Sequence, residues 1–145
     1  MTDLDNPVDT PTSWARAHLQ RYVETDGRDG HHWRGVPTLL LTTVGRKSGQ
    51  ARRTPLIYGR DGDHYLLVAS QGGAPTHPLW YLNLSADPNV RIQVGDQVID
   101  GTARTATAEE KPVLWDIMAG IWPDYNEYQK KTERPIPVVV IEPAK

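Results

Sequence analysis

The chain has 145 residues, no cysteine and a formal net charge of −2, with 38% hydrophobic and 23% charged residues. This composition is typical of one folded domain; it excludes disulfides and thiolate catalysis and disfavours a general nucleic-acid binder, which would be strongly basic. No apolar run approaches the roughly 18–20 residues that a membrane-spanning helix needs, and the acidic first ten residues resemble no secretory signal, so we expect a cytoplasmic protein.

The N-terminal third of the chain predicts a tail, a helix and a hairpin. Residues 1–11 carry three aspartates and two prolines without periodicity, which predicts a mobile tail before a single domain at residues 12–145. A helix capped by Thr12 or Ser13 follows and ends near Gly27. Helical spacing gives its buried face as Trp14, His18, Leu19 and Tyr22. Residues 38–44 are a short apolar, β-branched run, residues 50–58 follow it across the turn GRKSG, and the two together predict a hairpin.

The rest of the chain predicts four strands and three helices. The strands are residues 64–70, 90–94, 98–105 and 136–141, the middle two joined by Gly95 and Asp96. The helices are residues 77–84, a segment that begins at Thr107 in a capping box with Glu110, and residues 124–131. Short strands with hairpin connections and late helices predict a mainly β fold with helices, a small antiparallel barrel flanked by helices.

Basic residues are concentrated in the first hairpin. Between Gly45 and Arg60 the sequence contains Arg46, Lys47, Arg52, Arg53 and Arg60 but no acid. Guanidinium groups and exposed backbone amides both donate to anionic oxygens, so this hairpin predicts a phosphate or carboxylate site. The alternative is a solvated hairpin tip with ordinary surface charge.

Two aromatic clusters are the other candidates for a site. Residues 70–73, with two glycines, lead into Leu79, Trp80 and Tyr81, where a flat ligand could approach the backbone. Alternatively, Leu79, Leu82 and Trp80 bury a helix face against the barrel. Trp122, Tyr125 and Tyr128 share one helix face, which either lines a pocket or covers the core. The five histidines show no metal-ligand spacing, and neither Ser48 nor Ser70 has a nucleophile elbow around it.

Three runs together resemble the deazaflavin-dependent nitroreductases of actinobacteria. They are LLLTTVGRKSGQARRTPLIY, LLVASQGGAPTHPLWYLNL and WPDYNEYQKKTERPIPVVVIEP, and the resemblance covers about residues 37–143. It implies a split β-barrel, related to barrels that bind flavin mononucleotide, and the reduced deazaflavin coenzyme F(420). It further implies transfer of a hydride to an electrophilic acceptor, a quinone, nitroaromatic compound or activated enone, with no metal.

The resemblance also implies roles for individual residues. The anionic tail of the coenzyme, a phospholactyl group followed by glutamates, would be held by the basic hairpin. The implied coenzyme-binding residues are Arg46, Lys47, Ser48, Arg52, Arg53, Thr54, Pro55, Leu56, Ile57, Val68, Ala69, Ser70, Gln71, Leu79, Trp80, Tyr81, Leu82, Asn83 and Tyr125. Tyr125 would close over the ring, and Ser70, Tyr125 and Tyr128 would orient the substrate by hydrogen bonding.

The chain departs from the family pattern at three places. Trp122 stands where a relative has tyrosine, Gln71 takes a place that can be lysine, and the N-terminal helix is polar where some relatives begin with an apolar segment. The polar helix predicts no stable membrane attachment. Three alternatives remain: an oxidoreductase that uses flavin mononucleotide, a non-catalytic deazaflavin carrier, and a small barrel that binds RNA, which the net charge disfavours. We expect a monomer or a homodimer with a small-molecule acceptor and no nucleic acid.

Overall fold

A computed structural model of the chain describes residues 4, 7–9, 13–33 and 35–144, of which 8, 9, 13–15 and 33 are described by backbone alone. The helices are α1 (Ser13–Glu24), α2 (Leu79–Ala86), α3 (Lys111–Ile121) and α4 (Asp124–Lys130). None of them, over the residues described, is long and apolar enough to span a membrane. The strands are β1 (Val8–Asp9), β2 (His32–Trp33), β3 (Val36–Val44), β4 (Ala51–Ile57), β5 (Gly59–Asp61), β6 (His64–Val68), β7 (Asn89–Val94), β8 (Gln97–Thr105) and β9 (Val138–Pro143).

The strands form one curled, mainly antiparallel sheet. Their order is β1-β4-β3-β7-β8-β9-β6-β5, with β2 added to β3. Strands β4 and β5 lie near opposite ends of this order, yet Tyr58 alone separates them in the chain. The sheet must therefore curl until its ends meet, although β4 and β6 are not hydrogen-bonded to each other. This is the predicted split β-barrel with helices outside it.

The predicted hairpins are present, and the element boundaries differ by a few residues. Strand β3 pairs with β4, and β7 pairs with β8, both antiparallel. The capping box forms, because the Thr107 N–H donates to the Glu110 carboxylate at 2.9 Å and the Glu110 N–H donates to Thr107 Oγ1 at 3.2 Å. Helix α3 begins only afterwards, at Lys111. The last strand begins at Val138, two residues later than predicted.

Most residues of the predicted N-terminal tail lie outside the described residues, and its mobility stays a prediction. Within it, Val8 and Asp9 pair in parallel with Arg52 and Arg53 of β4. Helix α1 covers the predicted segment, and His18, Leu19 and Tyr22 are buried as expected. The side chain of Trp14, the fourth residue predicted for this face, lies outside the described residues.

The period-2 alternation of the strands divides the core in two. Leu39 and Leu41 of β3 point into the barrel, whereas Leu40 between them packs outside against α1. Leu67 of β6 likewise points inward. Its neighbours Leu66 and Val68 point outward and pack with residues of α3 and α4. Helices α3 and α4 are therefore anchored on the outside of β6, beside the split in the barrel.

Candidate active site

A cleft opens at the split between β4 and the end of β6. Strand β1 pairs with β4 only at Arg52 and Arg53, so the following part of that β4 edge has no strand partner among the described residues. Pro55 lies there, and a proline, which has no N–H to donate, is tolerated in a strand at an unpaired edge. The cleft has a volume of about 380 Å³ and extends from β4 to residues 70–72 and to α4.

Aromatic side chains of α4 and of Trp122, two residues before it, form one wall. The Trp122 indole N–H donates to the Tyr128 hydroxyl at 3.3 Å. Tyr125 is only 5% exposed and packs with α3 and β9, yet it also lines the cleft. Burial, followed by the neighbouring Tyr128, raises the pKa of Tyr125 well above its usual value, so this hydroxyl stays protonated at any physiological pH. The wall thus presents hydroxyl groups rather than ionised groups.

Residues 70–73 form the rim that adjoins this wall, in an unusual backbone conformation. Gln71, Gly72 and Gly73 have φ values of +46°, +63° and +84°. A left-handed non-glycine residue such as Gln71 carries a conformational cost that its surroundings must offset. Ser70 precedes them with 8% exposure and lines the cleft, and its hydroxyl has no hydrogen-bond partner among the described residues. This hydroxyl is available to a ligand.

Helix α2 links the cleft to the basic hairpin. Pro78 and Trp80 line the cleft at its N-terminal end. Farther along, Asn83 is buried, accepts the Arg46 backbone N–H at 3.2 Å and donates to Thr43 Oγ1 at 3.3 Å. Asn83 follows Pro78 by five positions, a distance of about 7.5 Å along the helix axis. The hairpin is therefore held next to the cleft, and Asn83 acts as its anchor rather than as a free ligand group.

The basic residues of the hairpin separate onto different surfaces. Arg46, Lys47, Ser48 and Arg52 are exposed, and among the described residues no acid pairs with the three cations. Consecutive strand residues face opposite sides, so Arg53 lies across from Arg52, with Thr42 and Arg91 around a different and smaller cavity. Arg52 instead approaches the turn at Gly45. A ligand on the Arg52 face cannot reach Arg53 without crossing the sheet.

Arg60 lies away from this cluster, although it belongs to the same basic stretch of sequence. It is in β5 at the other end of the sheet order, with its guanidinium 4.8 Å from the centre of the Tyr65 ring. The stretch that looks continuous in the sequence thus divides into a hairpin group and a separate cation–π contact.

The structure brings together about half of the residues that sequence analysis named. Those that line the cleft are Pro55, Leu56, Ile57, Val68, Ser70, Gln71, Trp80, Tyr125 and Tyr128. Thr54, Ala69, Tyr81 and Leu82 are neighbours of these residues along the chain but do not line it. The alternative in which Leu79 is buried against the barrel is wrong, since Leu79 is 67% exposed and Leu84 takes the buried place.

Five cleft residues were absent from the predicted coenzyme and substrate contacts. They are His18, Thr38, Gly72, Pro78 and Trp122. His18 and Thr38 come from α1 and β3, and both bond to the Gly30 carbonyl at 2.5 Å. Helical spacing correctly assigned His18 to the buried face, but spacing within one helix carries no information about the cleft that this face meets. Trp122 had a signal, because its three-residue spacing from Tyr125 and Tyr128 placed it near them, although it lies between α3 and α4.

Comparison with known proteins identifies the family. The family described as F420H(2)-dependent quinone reductase matches residues 14–143. The chain belongs to this family. An F420H(2)-dependent quinone reductase of Mycobacterium tuberculosis (strain ATCC 25618 / H37Rv) is 46% identical over 87% of both chains. The predicted relationship to deazaflavin-dependent reductases is thereby confirmed, with quinone reductases as the matching group.

Two solved structures extend the relationship of this quinone reductase family member to three dimensions. An F420-H2 dependent reductase is 46% identical, covers 73% of this chain and 94% of its own, and has a TM-score of 0.68. A structure described as a domain-swapped dimer is 43% identical, covers 92% of this chain and 100% of its own, and has a TM-score of 0.71. The predicted fold class is confirmed by both.

The surface of this reductase fits the coenzyme of its family. An elongated molecule with a flat ring and an anionic tail needs an apolar cleft close to unpaired cations. The cleft contains Trp80, Trp122 and Tyr125, and the hairpin contains cations that have no acidic partner among the described residues. Arg52 and Leu56, which lines the cleft, are four residues apart on the same face of β4, about 13 Å, so one ligand can span both. No group of three or more metal-ligating side chains is found among the described residues.

Two histidines of this reductase make its stability depend on pH. Burial lowers the pKa of His77 below its usual 6.5, with Arg134 as the second cause, and burial followed by His32 lowers that of His31. As the pH is lowered below about 6.5, these histidines take up protons in the unfolded chain before they do so in the folded one. The free energy of unfolding should therefore decrease as the pH is lowered, until the pH is below the pKa values of the folded state. In His77→Asn, whose side-chain oxygen keeps an acceptor for Arg134, urea unfolding between about pH 7.5 and 5 should show a shallower fall. An unchanged slope would contradict this role of His77.

Proposed function

We propose that the chain reduces quinones with reduced deazaflavin coenzyme bound along β4, from the basic hairpin to the cleft. When bound, the deazaflavin supplies a hydride to an electrophilic acceptor, and the protein supplies orientation and hydrogen bonds. The observation that carries the proposal is the adjacency that α2 creates, with Trp80 in the cleft and Asn83 bonded to the hairpin. The same adjacency favours one elongated, anionic, flat ligand over two small ones.

The hairpin would hold the anionic tail. Arg46 and Lys47 of the turn and Arg52 of β4 are exposed cations, and Arg52 approaches the turn at Gly45. The Ser48 hydroxyl oxygen accepts the Gln50 N–H at 3.1 Å, which fixes the turn and leaves the hydroxyl hydrogen available. Guanidinium and ammonium groups both suit phosphate and carboxylate, the two anions of this tail. Arg53, on the other face, is not part of the proposed site.

The acceptor would lie between residues 70–72 and the aromatic wall. Addition of a hydride to a quinone leaves negative charge on an oxygen, and fixed hydroxyl donors stabilise such a charge. Tyr128 accepts a hydrogen bond from Trp122, so its own hydrogen is free to be donated into the cleft. Ser70 supplies a second hydroxyl from the adjoining rim. Nitroaromatic compounds and activated enones develop similar charge and belong to the proposed range of acceptors.

A fluorescence titration tests the proposal at its first step. Oxidised deazaflavin coenzyme and flavin mononucleotide are each titrated with the purified protein, and reduced deazaflavin is then offered a quinone under anaerobic conditions. We expect saturable deazaflavin binding and coenzyme oxidation only when quinone is present. Binding of flavin mononucleotide alone would replace the proposed coenzyme, and deazaflavin binding without turnover would indicate a carrier. Sedimentation of the same sample distinguishes a monomer from a dimer like the domain-swapped relative.

Lys47→Ala should weaken deazaflavin binding by about tenfold at low salt, as expected for the loss of one charge-assisted contact to an anion. Arg60→Ala is the matched control, because Arg60 comes from the same basic stretch but lies in β5 against Tyr65. The difference between Lys47→Ala and the unmodified protein should shrink as salt screens the contact. Equal affinities for Lys47→Ala and the unmodified protein at low salt would remove the hairpin from the coenzyme site.

A further inference from the structure

The guanidinium group of Arg134 bonds to both ends of residues 69–74, the segment that forms one rim of the cleft. Arg134 follows α4, and its Nε donates to the Ala74 carbonyl at 2.8 Å. Its Nη2 donates to the Ser70 carbonyl at 2.8 Å, and its Nη1 donates to the Ala69 carbonyl at 3.3 Å. The same Nη1 lies 3.0 Å from His77 Nδ1. Arg134 does not itself line the cleft.

Arg134 is held rigidly by the turn that follows α4. Its carbonyl accepts from the Gln129 side-chain nitrogen at 2.9 Å, and its N–H donates to Thr132 Oγ1 at 3.3 Å. The side-chain oxygen of Gln129 accepts the N–H of buried Ile136 at 2.9 Å, two residues before β9. The backbone of Arg134 is therefore anchored independently of residues 69–74.

The segment that Arg134 contacts needs an external partner. Gln71, Gly72 and Gly73 are all in left-handed conformations, and within the segment only two backbone bonds hold the turn, Gly73 N–H to Ser70 and Ala74 N–H to Gln71. The Ser70 carbonyl already accepts the Gly73 N–H, but no backbone N–H among the described residues outside the helices and strands donates to the Ala69 or Ala74 carbonyl, and a carbonyl left without a donor is costly where it is buried. Arg134 donates to all three of these carbonyls with the planar fork that only arginine has.

We propose that Arg134 is a positioning residue for the acceptor side of the cleft, which fixes the backbone of residues 69–74 and so places the Ser70 hydroxyl. This inference rests on the proposed function for the identity of the reaction. The contacts of Arg134 with residues 69–74 do not depend on that function. Displacement of a reacting partner by about 1 Å can cost as much as 100-fold in rate. The effect of Arg134 on rate would therefore exceed its effect on folding.

The test compares Arg134→Lys and Arg134→Gln with Arg104→Lys. Arg104 is the matched control, since it too is a half-exposed arginine with a bidentate contact, to Glu110 at 2.6 and 2.9 Å, but on β8 away from the rim. In each variant the concentration of folded sites is counted by deazaflavin titration, and kcat and KM for a quinone are measured per folded site. Both Arg134 variants should lose between about 10- and 100-fold in kcat/KM, whereas Arg104→Lys should keep it.

A second measurement needs neither coenzyme nor quinone. Amide hydrogen exchange of Gly73 and Ala74 should be faster in the Arg134 variants and unchanged in Arg104→Lys, because these amides report whether the segment keeps its turn. If exchange accelerates in a protein that does not bind deazaflavin, the proposed function fails while the positioning of the segment stands. If the Arg134 variants lose stability but keep both kcat/KM per folded site and the exchange rates, Arg134 is purely structural and the inference is overturned.

Discussion

Tyr128→Phe is expected to lower kcat for quinone reduction by about 100-fold, the typical effect of removing one fixed donor to a developing oxyanion. The phenylalanine keeps the ring that packs 6.1 Å from Tyr125, so the cleft keeps its shape. Deazaflavin affinity, measured by fluorescence titration, should therefore stay almost unchanged. A large loss of deazaflavin affinity would instead place Tyr128 at the coenzyme and not at the acceptor.

Trp122 gives this prediction an internal check. Its indole N–H donates to the Tyr128 hydroxyl, which orients the tyrosine and strengthens its hydrogen as a donor. Trp122→Phe should lower kcat by a smaller factor, since an unsupported hydroxyl still donates in part of the population. If Trp122 acts through Tyr128, the double variant should be no slower than Tyr128→Phe alone. Additive losses in the double variant would show that Trp122 contacts the acceptor independently.

The cation beside this pair favours the same donor role. Lys131 Nζ lies 5.7 Å from the centre of the Tyr128 ring. A cation there attracts negative charge that develops on an acceptor beside the Tyr128 hydroxyl. Over the described part of the chain no cation lies over the Tyr125 ring, which is deeper, against Trp115. We therefore expect Tyr125 to act as a wall and Tyr128 as a donor.

The barrel could be predicted from the sequence because its rules are local. Apolar, β-branched runs such as residues 38–44 indicate strands, and the Gly95–Asp96 turn fixes the β7–β8 register. Strands β1, β2 and β5, of two or three residues each, are too short to carry such a signal and were missed. Strand β1 also pairs with β4, far along the chain, whereas β2 and β5 pair with the next strands, β3 and β6.

The sequence predicted the groups of residues that form the candidate site, but not the contacts that hold these groups together. The hairpin and the aromatic wall follow from local composition, and the opposite faces of Arg52 and Arg53 follow from the alternation of side chains along any strand. Arg134, by contrast, lies 64 residues from the Ser70 carbonyl that it binds. Its run, TERPIP, contains nothing that identifies the acceptors of its guanidinium. Contacts of this kind depend on how α4 packs, and packing is a property of the folded chain.

Gly73→Ala is expected to be the most damaging small substitution near the cleft. A Cβ at this position would lie 2.6 Å from the Tyr128 carbonyl oxygen and 3.0 Å from its Cα, and backbone atoms cannot rotate away as a flexible side chain can. The φ of +84° adds the cost of a left-handed alanine. We expect the free energy of unfolding to fall by about 3 kcal/mol or more.

Gly72→Ala separates the two causes of that loss. Gly72 has a similar φ of +63°, but a Cβ there meets nothing within 4 Å, so only the conformational cost of about 1–2 kcal/mol should appear. The difference between the two variants in chemical denaturation then measures the contact between the rim and α4. Because this contact also sets the distance from Ser70 to Tyr128, Gly73→Ala should lose kcat per folded site as well. Equal losses of stability in the two variants would mean that α4 moves aside easily, and the rim would then depend on Arg134 alone.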